Sequence, residues 1–360
     1  MYTLQNIADL SGVSRGTVDR VLNNRGSVSP KIEQRVRNVA NTLKYSPNIA
    51  GKALASKKKK MKFGYILFDS MESNSISGNA YGIEKYAKVL LEYGVVVEFR
   101  CQNTDNPMIQ AEYIDELIEL GISGLVIMPI YHPLVIDRLK RLTSSGFPII
   151  TVNSDIPECG RLAYVGCNYY KSGEIAAGFI NIVTDRKANI GIVIGSPKIP
   201  SLTHRARGFC EYTEKHFSHF RIIETIPDYD DDSGSFCATM DMYKRYPEID
   251  VLYIVATGVN GVCNAVYELG IAEKIIIVCC DVTKEICDMI REGIISATVA
   301  QLPRIQSAKP LRLLFSYLCL GKAPENEINY TETKIVIKEN LIGVAPWQES
   351  IEIVGSQLYR

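Results

Sequence analysis

Apolar residues recur at helical spacing along the first 45 positions. Leu4, Ile7, Ala8 and Leu10 form one stripe, Val18, Val21 and Leu22 a second, and Ile32, Val36, Val39, Ala40 and Leu43 a third. Between the first two lies the tight segment Leu10-Ser11-Gly12-Val13, where Gly12 can take positive φ without steric cost. Thr3 is placed to cap the first helix and Ser14 the second, and Ser29-Pro30 reads as N-cap and first residue of the third. Asn23-Asn24-Arg25-Gly26 is a loop signal, and Ser46-Pro47 stops the third helix. Two short helices joined through a glycine turn predict a helix-turn-helix. The second helix turns Val18, Val21 and Leu22 inward and Arg15, Gly16, Asp19 and Arg20 outward. Arginines at the outer N-terminal end are what a DNA recognition helix needs.

From Met61 the period changes. Phe63–Phe68, Val95–Phe99, Gly124–Met128 and Phe147–Val152 are short apolar runs, separated by helical patterns at about Ala80–Tyr93, Ile109–Leu120 and Pro133–Ser144. The pattern restarts with strands at Ile190–Ile194, Arg221–Thr225, Val251–Val255, Ile275–Cys279 and Ser296–Val299. Unbroken apolar strands alternating with helices predict parallel sheets covered on both faces. The fold class expected is an all-α headpiece followed by two doubly wound α/β lobes, with ligands beyond the carboxyl ends of the strands.

Charge sharpens this division. The 360 residues are neutral overall, but residues 1–60 hold 12 Lys and Arg against 3 Asp and Glu, a net of +9, and the remainder carries −9. A basic module on an acidic body points to nucleic acid as the partner of the first segment alone. Met1-Tyr2-Thr3 opens no signal-peptide pattern and no apolar run reaches membrane-span length, so a cytoplasmic location is expected. The ten cysteines lie scattered, several in apolar contexts such as Val278-Cys279-Cys280, and read as reduced buried thiols with no metal-ligand spacing. His216 and His219 form a short pair on an expected helix, and His132 and His204 stand alone. Gly258-Val259-Asn260-Gly261 is not a phosphate loop, so neither catalysis nor a cofactor is expected.

A family resemblance adds to this reading. Ile7-Ala8, Gly12-Val13-Ser14, Thr17-Val18, Arg20-Val21-Leu22-Asn23, Val28-Ser29, Tyr45-Ser46-Pro47-Asn48 and Ala53-Leu54 resemble the headpiece of the lactose-repressor (LacI/GalR) transcription factors. The resemblance implies a homodimer on a pseudo-palindromic operator, and DNA contacts from Thr3, Ser14, Arg15, Gly16, Thr17, Arg20, Asn23, Tyr45, Asn48, Ala53 and Leu54. Arg15 and Gly16 match the main base-reading positions, with Arg15 expected on a guanine edge and Gly16 reading nothing directly. Thr17, Arg20 and Asn23 are expected to position the helix on the backbone, although Asn23 alternatively closes the turn. Asp19 stands where the family usually has a phosphate-touching Ser; its carboxylate either orients Arg15 or accepts from a cytosine amine. Asn48–Ser56 matches a hinge that folds when two copies meet on DNA, and Leu54 matches the leucine wedged into the minor groove. Lys57–Lys60 is a charged linker, solvated or touching phosphates. A small helical bundle that binds protein is the alternative.

Residues 61–345 resemble the ribose-binding-protein type of sugar receptor, on Pro148–Asn153, Tyr164-Val165-Gly166, Arg205–Phe209, Cys280–Thr283 and Ala297–Pro303. The implied domains are a headpiece at 1–46, hinge and linker at 47–60, and an effector domain at 61–360. Its N-lobe is expected at about 61–164 and 302–329 and its C-lobe at about 165–301 and 330–360, with crossings near Tyr164–Val165, Gln301–Pro303 and Asn329–Glu332. The resemblance carries over Arg205 as a ligand clamp, Asp281 as a hydroxyl acceptor and Gln301 at a crossover. Asn153, or Asp155 two residues on, stands where sugar receptors often carry Asp. The usual Asn-Pro-Phe-Phe is replaced by Asp69–Ser77, which keeps Asn74 as a polar contact but has no aromatic; Tyr131, Tyr169 or Tyr170 is then the candidate platform. The implied effector is a sugar, polyol, amino sugar or sugar acid. The implied function is an allosteric transcriptional repressor, with a transport-type solute-binding protein as the alternative. Ile351–Arg360 has no heptad repeat, so no tetramer-forming coiled coil is expected.

Overall fold

A computed structural model describes residues 4–22, 28–43, 60–68, 78–227 and 231–341. Thr3, Asn23, Tyr45, Asn48, Ala53, Leu54 and Asn74 lie outside the described residues, as do the 24–26 loop, Lys57–Lys59 and the Ile351–Arg360 tail.

The N-terminal unit has three helices, α1 (Leu4–Ser11), α2 (Arg15–Leu22) and α3 (Pro30–Thr42). They share one core of Ile7, Ala8, Val18, Val21, Val36 and Ala40. Gly12 takes φ +62°, and the Val13 amide donates back to the Ala8 carbonyl at 3.1 Å, closing α1. Leu10 departs from expectation and is 64% exposed. It lies six residues from Leu4, off the face that positions 4, 7, 8 and 11 share, and Ser11 takes the inward place with its hydroxyl on the Ile7 carbonyl. Ser29 precedes Pro30 as expected but makes no side-chain cap. Arg37 ties α3 to α2 by donating to the Val21 carbonyl at 3.2 Å.

The remainder forms two six-stranded sheets. The first contains β1 (Met61–Phe68), β2 (Val95–Gln102), β3 (Gly124–Ile127), β4 (Ile149–Val152), β5 (Ala163–Cys167) and β11 (Ile328–Thr331), in the order β11-β5-β4-β3-β1-β2, all parallel. The second contains β6 (Ala188–Ile194), β7 (Phe220–Pro227), β8 (Val251–Val255), β9 (Ile276–Cys280), β10 (Ala297–Gln301) and β12 (Thr333–Val336), in the order β12-β10-β9-β8-β6-β7, with only β12 antiparallel. Helices α4 (Gly78–Glu92), α5 (Pro107–Glu119), α6 (Pro133–Ser144) and α12 (Pro303–Leu320) belong with the first sheet, and α7 (Tyr169–Val183), α8 (Pro200–His216), α9 (Asp232–Arg245), α10 (Val259–Glu268) and α11 (Lys284–Glu292) with the second. Strands such as β3, β4 and β8 are buried at every residue because helices cover both faces. Among the described residues no helix is long and apolar enough to cross a membrane.

The chain passes between the sheets three times. The first passage corrects the expectation at Tyr164–Val165: β5 pairs with β4 and β11 through that region and stays in the first sheet to Cys167, so the chain leaves between Cys167 and Tyr169. The others fall between Gln301 and Pro303 and at Glu332, between β11 and β12. Neither β11 nor β12 was expected as a strand, because half-exposed edge segments carry no apolar run. His219 is likewise not on a helix: α8 ends at His216, whose ring packs on Tyr212.

Helices α7 and α8 cross where two glycines meet backbone. A Cβ on Gly173 would stand 2.1 Å from the Arg205 carbonyl oxygen, and one on Gly208 2.1 Å from that of Tyr170. Such contact admits no side chain without moving a helix. Gly173→Ala and Gly208→Ala are each expected to lower stability by about 1–3 kcal/mol in urea unfolding. A loss below about 0.5 kcal/mol, within the range of a neutral surface change, would mean that this crossing is not a constraint.

Candidate functional site

Two surfaces carry the chemistry. On the headpiece, Ser14 caps α2: its Oγ accepts from the Thr17 amide at 3.2 Å and lies 2.9 Å from Thr17 Oγ1. The helix faces its core with Val18 and Val21 and leaves Arg15, Gly16 and Arg20 exposed. Arg20 folds back, its Nε donating to the Gly16 carbonyl at 3.3 Å. Arg15 and Gly16 thus share the outer N-terminal end of a capped helix. Thr17 and Asp19 lie half-buried on its flanks.

The second surface lies between the sheets at the carboxyl ends of their strands. Asn153 follows β4 and Asp281 follows β9, and both take left-handed backbone conformations, φ +60° and +72°. Short polar side chains tolerate this conformation better than bulky ones. The two turns are equivalent: the Asn153 amide donates to Val165 of the neighbouring strand at 3.0 Å, and the Asp281 amide to Val299 at 3.3 Å. Each lobe therefore turns one short polar residue out of its sheet at the same place.

Around Asp281 the structure brings three expected residues together. Arg205, on α8, is 2% exposed and places NH2 3.2 Å from Asp281 Oδ1. Gln301, ending β10, donates from Nε2 to the same oxygen. The Arg205 guanidinium lies 4.8 Å above the Tyr169 ring, and the Tyr169 hydroxyl donates to Gln301 Oε1 at 2.8 Å. Burial is the largest single influence and pulls the arginine's pKa down, but the Asp281 carboxylate together with Cys280, Cys167 and Tyr169 outweighs it and holds the cation above its ordinary value. Arg205 Nε is buried with no hydrogen-bond partner, so this fork has a donor left over. Of the three candidate tyrosines, Tyr169 is the one at the site, though its ring and hydroxyl are already engaged. Tyr170 bonds Glu211 at 2.6 Å, and Tyr131 is 53% exposed at the lobe rim.

Asp155 departs from the expected role. Its carboxylate takes both ends of the buried Arg161 guanidinium, at 2.5 and 2.7 Å, and accepts from Thr151 at 2.6 Å, while Arg161 also reaches Glu327 at 2.8 Å. With these donors on its oxygens it is a strut between the β4–β5 connection and the entry to β11, not an open acceptor. Asn153 is held by backbone, its carbonyl accepting from the Tyr164 hydroxyl at 2.8 Å.

The lobes also touch at their rims. Asp105 accepts from Ser196 and pairs with Lys198 at 3.3 Å, and the Tyr131 amide donates to the Lys198 carbonyl at 3.0 Å. Ser154 and Ser201 hydroxyls meet at 3.2 Å, and Ile199 packs into the first lobe's core. Sequence reasoning missed the buried Gln306, which joins Gln301 from behind, and the half-buried Thr331 that Gln306 also bonds. The only available signal was a glutamine in the first turn of the helix opened by Pro303.

Other groups are structural. His132 caps α6 by accepting from the Leu134 amide, and burial followed by nearby Arg207 lowers the pKa of His204. All ten cysteines are free, and burial raises Cys159 and Cys167 to about 11, so these thiols stay protonated near neutrality. Among the described residues no cluster of three or more His, Cys, Asp or Glu could hold a metal.

Two α/β lobes joined by three crossings, with polar residues at facing strand ends, define the two-lobed fold of the periplasmic binding proteins. The chain belongs to the periplasmic binding protein domain family, matched over residues 69–323, and residues 3–48 match the bacterial regulatory proteins of the lacI family. It is 27% identical over 217 residues to the HTH-type transcriptional regulator DegA of Bacillus subtilis, covering 59% of this chain and 61% of that protein. It is 26% identical over 212 residues to the sucrose operon repressor of Pediococcus pentosaceus, covering 58% and 60%. The matches thus span about three fifths of these relatives' length. The fold is similar to that of the glucose-galactose binding protein GanP of Geobacillus stearothermophilus, with a TM-score of 0.71, 23% identity, and coverage of 78% of this chain and 98% of that one.

Arg161→Met is expected to destabilise the fold by about 3 kcal/mol, because it leaves a half-buried carboxylate short of its cation. The double variant Arg161→Met/Asp155→Leu should recover most of the loss in thermal unfolding. Equal losses in both would show that the pair is not coupled.

Proposed function

We propose that this chain is a sequence-specific DNA-binding transcriptional repressor controlled by a small polyhydroxylated ligand bound between its lobes. The proposed division is a headpiece at 1–46, a hinge and linker at 47–60 and an effector domain beyond. Two copies present two α2 helices to a pseudo-palindromic operator in the cytoplasm. Arg15 reads a guanine edge, Gly16 leaves room for close approach, and Ser14, Thr17 and Arg20 set the helix on the phosphate backbone. Arg205, Asp281, Gln301 and Asn153 line the ligand site, where the guanidinium's spare donor meets a ligand oxygen. The ligand acts by favouring one lobe arrangement over another, which is a coupling between two sites. No step of this scheme needs a cofactor or bond-breaking chemistry.

One observation carries this reading. A capped helix with an exposed arginine at its outer end shares a chain with a hinged cleft whose strand ends converge on Arg205 and Asp281. A transport-type binding protein has no use for α1–α3. The named relatives, a transcriptional regulator and a sucrose operon repressor, support the same assignment.

The test is operator binding by fluorescence anisotropy at fixed salt, on a duplex selected from random sequence, with sugars, sugar alcohols and sugar acids added singly. One compound should shift affinity tenfold or more, about 1.4 kcal/mol of coupling. Arg205→Ala should abolish the shift while retaining DNA binding. If no duplex is enriched over non-specific DNA, the regulator reading fails. In the same assay Arg15→Ala should cost about 1–3 kcal/mol and relax preference at one base position; a uniform loss across all sequences would assign Arg15 to phosphate instead.

A further inference from the structure

Each of the three crossings contributes one side chain to a single hydrogen-bond network. Tyr169 stands just after the first, Gln301 just before the second and Thr331 just before the third. Gln306, 1% exposed in the first turn of α12, joins them. Its Nε2 donates to Gln301 Oε1 at 3.0 Å and to Thr331 Oγ1 at 3.0 Å, and Gln301 Oε1 also takes the Tyr169 hydroxyl at 2.8 Å.

A carboxamide has one accepting and one donating end. With two donors on Oε1, Gln301 must turn Nε2 towards Asp281. Flipping it would set amide against amide at Gln306 and oxygen against carboxylate at Asp281. Gln306 therefore decides which end of Gln301 meets the carboxylate that neutralises Arg205. The bond also spans the hinge, since α12 and Thr331 belong with the first sheet and Gln301 with the second.

We infer that Gln306 is a positioning residue that couples the angle between the lobes to the Arg205–Asp281 pair. It touches no ligand. When the lobes rotate about the crossings, the Gln306–Gln301 bond breaks or carries the amide with it, and the donors offered to Asp281 change with the hinge. The inference rests on the proposed cleft only for what that pair binds; the network itself is independent of ligand and DNA.

The test is hydrogen–deuterium exchange on the full chain with neither ligand nor DNA, so it can fail while the regulator reading stands, and the reverse. In Gln306→Met, segments 163–169, 297–303 and 328–336 should all exchange about five- to tenfold faster, the effect of one lost hydrogen bond on local opening. Segments 61–68 and 251–255, the strands β1 and β8, should not change. Thr331→Val guards against failure of Gln306→Met to fold, and should loosen the same three segments. Thr331→Ser, which keeps the hydroxyl, should match the parent protein. Faster exchange confined to 303–310, or equal behaviour of Thr331→Val and Thr331→Ser, would overturn the inference.

Discussion

The burial of one cation organises the second half of this molecule. A guanidinium removed from water is tolerated only if paired and hydrogen-bonded. For Arg205 the pairing comes from Asp281, and its flat face rests on Tyr169. Each partner imposes a further demand. Asp281 needs a left-handed turn at the end of β9, Tyr169 needs the first crossing to end where it does, and α8 must press against α7 closely enough to exclude side chains at Gly173 and Gly208. The pair is thus held by two helices, two strand ends and a hinge at once.

The two lobes mirror each other at the cleft. Asn153 and Asp281 leave equivalent strands by equivalent turns, but of the two turn residues Asp281 is the carboxylate, and it pairs with the buried Arg205. The first lobe spends its nearby carboxylate, Asp155, on Arg161 and so stiffens its own frame. Between the lobes the rim contacts combine polar pairs, Asp105 with Lys198 and Ser154 with Ser201, with the apolar packing of Ile199. Half-exposed ion pairs are worth little individually.

The headpiece obeys a different economy. Its core is six buried residues over three short helices, far smaller than the cores beneath the sheets. A unit this small has little stability to spare. Its caps and turns therefore matter more, from Ser14 at α2 to the Gly12 turn and the Arg37 bridge to α3.

Periodicity, turn residues and charge were enough to read the helix-turn-helix and the alternation of strands and helices, and the family resemblance singled out Arg205, Asp281 and Gln301. Those features are encoded locally, or in words short enough to recognise. What the sequence could not reveal depends on which segments become neighbours. Leu10 and Ser11 exchange roles because one face of α1 meets α2 and α3. Asp155 is claimed by Arg161, which also holds Glu327, 166 positions further along the chain. Tyr169 is separated from Tyr131 and Tyr170 only by where the first crossing ends. Gln306 gains meaning only when Tyr169, Gln301 and Thr331 arrive beside it. Sequence alone determined the helix-turn-helix and the apolar strands and the helices between them; tertiary structure decided the edge strands and which polar groups are engaged, because a hydrogen bond or ion pair is settled by proximity in space and by burial.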